Sequence, residues 1–332
     1  MRLQFVLPLF LFGLSAPLHA DLSLSTQSTS MTPALTRGDL TSDPQLPDVA
    51  KRDSRTRWLI GGYAGVIATY GFLSWWNKDV ERHVLQPDGT VTTETFSNRS
   101  SFRVNNEGWF GEDSPNGGAD KLGHFYSSYL GTRLMAQTFQ WAGHDAQTAA
   151  KIAGWTAGSV MLGVEIMDGF SLEYGFSKED LVMNLGGVAL GAWFELRPDL
   201  DEKFDVRFHY WRSDDAKLLG DGDPISDYSG QTYLFITKAA GFNALRDKPI
   251  LRYLELALGY GSRGYQPNPG QFAEQFPKER NIYVGLSLNL NQVLNDTLFR
   301  HQTQPSTTKK VLETTLEYLQ MPGTALLYEY HL

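Results

Sequence analysis

Asp120 and His124 lie four residues apart in a segment patterned as helix, which sets a carboxylate and an imidazole on one face, one turn from each other. They end a glycine-punctuated stretch, Glu107-Gly-Trp-Phe-Gly-Glu-Asp-Ser-Pro-Asn-Gly-Gly-Ala-Asp-Lys-Leu-Gly-His124. Glu165 interrupts the apolar run Val160-Met-Leu-Gly-Val-Glu-Ile-Met-Asp168, and Asp180 precedes Asn184 by one turn in a third apolar segment. An imidazole can be a general base, a proton donor or a metal ligand, and Asp120 can orient it. A buried Glu165 would hold its proton more tightly than usual and serve as an acid. Asp180 and Asn184 add a carboxylate and an amide, so the set can hold a divalent cation or position a substrate.

The same residues also read as packing. Asp120 and Asp180 occupy helix starts, where a carboxylate caps free N–H groups and meets the positive end of the dipole. His124 reads equally as a hydrogen-bonded core residue, and Asn184 as a bridge between helices. No phosphate-binding loop, nucleophile elbow, zinc-protease helix or dinucleotide fingerprint occurs, so no organic cofactor is expected.

These side chains need helices to carry them, and three are predicted: Asp120 to Trp141, Asp145 to Met167 and Lys178 to Leu196, the last started by Ser177 and stopped before Pro198. A fourth, Trp58 to Trp76, approaches the roughly 20 residues that span a bilayer. Its basic flank, Lys51 to Arg57, would face the cytoplasm by the positive-inside rule, at odds with an exported chain. A place in a protein core or at another membrane is therefore expected, with Gly61, Gly62, Ala64 and Gly65 allowing close helix approach. Residues 77–119 form a long polar loop with turn signals at Pro87-Asp88-Gly89 and Asn116-Gly117-Gly118 and a strand-like run from Val91 to Phe96.

From Phe204 the apolar period becomes two. Runs at Phe204–Tyr210, Tyr233–Lys238, Leu254–Tyr260, Ile282–Asn291 and Thr324–His331 give about five strands, with an amphipathic helix around Val311 to Leu319. The expected fold is α+β: a bundle of about four helices followed by an antiparallel sheet with one apolar face against it. Five strands are too few for a closed membrane barrel.

The chain opens with Arg2, an apolar run from Leu3 to Leu14 and small residues at Ala16 and Ala20, the layout of a secretory signal over 1–20. Residues 21–56 are predicted to be a disordered linker, leaving a helical domain over 57–200 and a β-rich domain over 201–332. There is no cysteine, which excludes disulfides, thiolate ligands, a cysteine nucleophile and N-terminal lipidation on a cysteine. A formal charge of -8 without a basic patch argues against nucleic acid. Membrane lipid or another envelope component is the partner the abundant aromatics suit.

The segment Asn106-Glu-Gly-Trp-Phe-Gly111, then Gly117-Gly-Ala-Asp-Lys-Leu-Gly-His-Phe125 with Tyr129 and Arg133, resembles the YfiM-type family of predicted periplasmic lipoproteins of Gram-negative bacteria. Glu165, Asp168 to Ser171, Tyr174 to Ser177, Asp180 and Asn184 to Gly186 resemble its second half. The order Asp-Lys-x-x-His, helical Glu, Asp-x-x-x-Asn-x-x-Gly is similar, more weakly, to VanZ-like membrane proteins. The resemblance implies a small bundle in or against a membrane with these polar residues gathered between helices. It implies no activity. His124, Glu165 and Asp120 are thus the candidate catalytic residues, and Asp180, Asn184, Arg133 and Trp109 the candidate substrate-binding ones. The expected role is that of an exported structural or interaction protein of the envelope, outer-membrane associated; the alternatives are a membrane-associated hydrolase of lipid or envelope glycan, and a lipid binder.

Overall fold

The computed structural model describes residues 48–85, 91–218, 224–225, 227–265, 277–302 and 306–332. The expected signal at 1–20, most of the expected linker and the expected Pro87-Asp88-Gly89 turn lie outside them. Four long helices form the bundle: α1 (Val49–Gly71), α2 (Ala119–Ala142), α3 (Ala146–Asp168) and α4 (Lys178–Leu196). A fifth helix, α5 (Thr307–Tyr318), is the expected amphipathic one. The linker ends earlier than residue 56, because Asp48 accepts the Ala50 amide and starts α1 at Val49. Trp58 to Trp76 is the later part of α1 plus a π-helical turn, Phe72–Trp76. Among the described residues no helix is long and apolar enough to cross a membrane.

Two strands, β1 (Val80–Leu85) and β2 (Val91–Phe96), pair as a hairpin, and β3 (Val104–Asn105) pairs parallel with β4 (Phe176–Ser177). The large sheet is an antiparallel meander in chain order: β5 (Phe204–Tyr210), β6 (Gln231–Lys238), β7 (Leu254–Arg263), β8 (Glu279–Leu288) and β9 (Ala325–His331). The fold is α+β, as the periodicities imply.

Bundle and sheet share one core. Tyr126, Tyr129 and Phe194 from the helices pack with Val206 and Tyr233 from the sheet and Tyr318 from α5. Tyr126 stacks on Phe208 and donates its hydroxyl to the Tyr318 carbonyl at 2.7 Å. A second cluster of Met135, Phe139, Ala149, Ala153, Ala157 and Val188 joins α2, α3 and α4, and Tyr63 of α1 packs against it. The α2–α4 seam is tight: a Cβ on Gly187 would overlap the Phe125 carbonyl, and one on Gly191 would lie 2.8 Å from the Tyr129 carbonyl. Glycine at both positions lets the two backbones touch.

The sheet meets the helices through β5, β6 and part of β7. Beyond them the expected arrangement changes, because the apolar face of β7, β8 and β9 stays exposed at Leu256, Leu258, Val284, Leu286, Leu326 and Tyr328. The opposite face buries charge. Arg207 is enclosed with Asp205 at 2.6 Å and Glu255 at 2.7 Å, and Lys238 reaches Asp205 at 2.5 Å. Alternation predicts two faces but not which one faces inward.

Candidate functional site

Three helix ends and one loop meet at the site. Gly117 and Gly118 adopt φ of 59° and 85°, the left-handed region that suits glycine, and turn the chain sharply into α2. The first turns of α2 then carry Asp120, Lys121 and His124. The last turns of α3 bring Glu165 and Asp168. Ser177 caps α4 by accepting the Asp180 amide at 3.2 Å, which starts the helix that brings Asp180 and Asn184.

A clasp fixes the connection between α3 and α4. The carboxamide oxygen of buried Asn98 accepts the Ser171 hydroxyl and the Glu173 amide, both at 2.8 Å, while its nitrogen donates to the Trp75 carbonyl. Arg103 donates to the Ser171 carbonyl at 3.1 Å, and the β3–β4 pair closes the same turn. The Trp76 indole donates to Asp168 at 2.7 Å.

The five polar groups expected to converge do so. His124 Nδ1 lies 3.8 Å from Glu165 Oε1, and Nε2 lies 3.8 Å from Asp180 Oδ2. Asn184 donates to Glu165 Oε1 at 2.9 Å and accepts the Ser128 hydroxyl at 2.9 Å. Lys121, with no exposed side-chain surface, places its ammonium against Glu107, against Asp120 at 2.9 Å and against Asp180 at 2.8 Å. Asp120 does not cap α2 through its side chain, since Gly118 holds the cap position. Its Oδ2 meets Lys121 and its Oδ1 is buried without a hydrogen bond. Only His124 opens appreciably to solvent, with 27% of its side chain exposed.

Burial, reinforced by the charges of Asp180 and Asp168, pushes the Glu165 carboxyl up to about 8, so it is a protonated acid at neutral pH. Burial raises Asp168 to about 6 against the opposing Trp76 hydrogen bond. Glu107 and Asp120 are also raised by burial, with Lys121 opposing. Burial would raise Asp180 as well, but His124 and Lys121 outweigh it and hold this carboxyl below its usual range. Lys121 is held above the ordinary lysine value, because Asp120 and Asp180 outweigh its own desolvation.

The site therefore sets an imidazole between a neutral acid and an ionised carboxylate. Two ligand sets have donor atoms within 4.8 Å of one another: His124, Glu165 and Asp180, and Glu107, Asp120 and Asp180. The second already surrounds the Lys121 ammonium. The first, one nitrogen and two oxygens, is a donor set suited to zinc or manganese.

Arg133 is not brought to this group. It lies further along α2, clamped by Glu195 and Asp201 at 2.7 Å and Glu317 at 2.9 Å. Trp109 is exposed on the preceding loop. Lys121, Glu107, Asp168 and Ser128 belong to the site although sequence reasoning did not assign them there. Ser128 stands one turn after His124 and Asp168 one turn after Glu165, so helical spacing was the available signal.

The raised Glu165 gives a pH signature. In the unfolded chain this carboxyl ionises near 4.5 and in the fold near 8, so the folded protein holds the extra proton and loses stability as pH rises across that window. Glu165→Gln has no proton to lose. Its melting temperature relative to the parent is expected to climb from pH 5 to pH 8 and level above; parallel curves in calorimetry would refute the assignment.

Residues 106–196 match the family model described as predicted periplasmic lipoprotein (DUF2279), a segment that holds Glu107, Asp120, Lys121, His124, Glu165, Asp168, Asp180 and Asn184. That description agrees with a location in the cell envelope, periplasm or outer membrane. No curated protein and no solved structure matches the chain.

Proposed function

We propose that this exported envelope protein carries a hydrolytic acid–base centre acting on a lipid or envelope glycan at a membrane surface. His124 is the base that activates water, Glu165 is the acid that protonates the leaving group, and Asp120, Asp180 and Asn184 hold them in place. The observation that carries this reading is the partly exposed imidazole 3.8 Å from both a carboxyl raised to about 8 and one held low. Perturbed carboxyls of opposite sign beside one histidine are the pattern of acid–base sites. A divalent cation on His124, Glu165 and Asp180 would displace the Glu165 proton and supply activated water itself. The leader-like start and the match of residues 106–196 to a predicted periplasmic lipoprotein family support an envelope location.

A structural role is the second reading. Lys121, wholly enclosed by three carboxylates, is the arrangement of a network that specifies helix packing. His124→Ala separates the two. Under the hydrolytic reading, cells carrying it keep normal amounts of folded protein but change their envelope lipid or glycan profile as a deletion does. Reduced abundance favours the packing role, and normal abundance with an unchanged profile removes the hydrolytic one.

A further inference from the structure

The apolar face of the large sheet packs on the helices at Val206 and Tyr233 and runs on past them uncovered across β7–β9. In register, Leu256, Leu286 and Leu326 form one cross-strand row, and Leu258, Val284 and Tyr328 form the next. All six are exposed, Leu326 at 84% and Tyr328 at 74%. The residues that alternate with them include Glu255, which is buried with Arg207 and Asp205. A water-facing sheet would place its apolar rows inward and its charges outward. Here ion pairs are enclosed on one face, and apolar rows are left in water on the other. That exposure stops being a cost when the outer face meets hydrocarbon, and keeping the charges off that face becomes the favourable choice.

The helices repeat the pattern independently. From Val182 to Leu196 the exposed positions of α4 are Val182, Leu185, Ala189, Trp193 and Leu196, every one apolar, while Asn184 points into the site. On α3, Trp155, Leu162, Ile166 and Met167 are exposed while Glu165 is buried. Helix α4 joins this stripe to the sheet, because its Leu190, with Phe125 of α2, lines one apolar groove of about 370 Å³ with Phe235, Leu258 and Ile282. Trp155 and Trp193 on the stripe, and Tyr328 and Tyr330 on the sheet, are residue types that settle where hydrocarbon meets headgroups.

We propose that the outer face of β7–β9 and the exposed stripe of α3 and α4 form a lipid-binding surface that seats the protein in one leaflet of a bilayer. Its occupant is acyl chain. The seat proposed is one-sided, and among the described residues no helix is long and apolar enough to cross. A protein partner would be expected to meet polar groups around these rows, whereas the exposed face of α4 offers no charge and, apart from the Trp193 indole, no hydrogen-bonding side chain across its last four turns. This inference does not depend on the chemistry at His124.

The test is flotation of the purified full chain with phosphatidylethanolamine–phosphatidylglycerol vesicles in high salt, which suppresses electrostatic attachment. The parent protein should float with the vesicles. Leu256→Asp/Leu286→Asp/Leu326→Asp should lower bound protein by about tenfold or more, since charge on a lipid-facing strand is strongly disfavoured. Three carboxylates in one cross-strand row also repel one another and weaken the sheet somewhat; Trp193→Ser on α4 is therefore a second variant that leaves the sheet untouched and should also weaken binding. His124→Ala should float like the parent. Parent protein that stays with the soluble fraction, or a triple variant that floats equally well, overturns the proposal. So does a parent that forms dimers in light scattering, ignores vesicles and becomes monomeric in the triple variant, which would assign the face to a second copy.

Discussion

Lys121→Met is expected to cost about 3–5 kcal/mol of folding free energy, the range for removing one partner of a buried ionic cluster. The ammonium has no exposed surface and is the counter-ion for Glu107, Asp120 and Asp180 together. Methionine fills most of the volume and leaves three enclosed carboxylates facing one another. Their mutual repulsion grows as they ionise, so the deficit should shrink as pH falls from 7 toward 5 and the carboxyls take up protons. Urea titrations at several pH values measure both effects. A loss below about 1 kcal/mol at pH 7 would show that water or local rearrangement neutralises the cluster without the lysine.

Arg133→Met should be comparably damaging, about 3–5 kcal/mol, but should break a different connection. The guanidinium gathers Glu195 from α4, Asp201 from the following turn and Glu317 from α5, and it donates to the Tyr129 hydroxyl at 3.0 Å. Burial pushes Glu317 up to about 7 even with Arg133 opposing. Removing the guanidinium should release α5 first, because Tyr318 and Leu316 are its buried anchors and Glu317 stands between them. Hydrogen exchange should therefore accelerate in Thr307–Tyr318 well before α2 or α4. Unchanged protection there would mean that packing of Tyr318 alone secures the helix.

Where one segment's own pattern decides its structure, the sequence was legible. The three site helices and five strands follow from apolar spacing, and Asp120, His124, Glu165, Asp180 and Asn184 stood out as polar residues on apolar surfaces. Partnerships across the chain were not legible. Arg133 is paired with carboxylates 62 and 68 residues away, so its isolated charge invited a binding role. Lys121 read as an ordinary neighbour of Asp120 because its other carboxylates arrive from the loop before α2 and from α4. The exposure of the sheet's apolar rows was hidden for a related reason: a period of two is the same whichever face is wet, and the enclosed side is identified by long-range contacts, the ion pairs among Arg207, Asp205 and Glu255 and the cluster of Leu234, Ile236 and Ala257.

The glycine seam between α2 and α4 also bears on how the centre moves. With Gly187 and Gly191 against the carbonyls of Phe125 and Tyr129, there is no intervening side chain whose rotation could let the two helices slide. His124 and Asn184 consequently ride on one stiff chassis. Relative movement within the site then falls to the α3 terminus and the Asn98 clasp, whose few hydrogen bonds work as a latch rather than a weld.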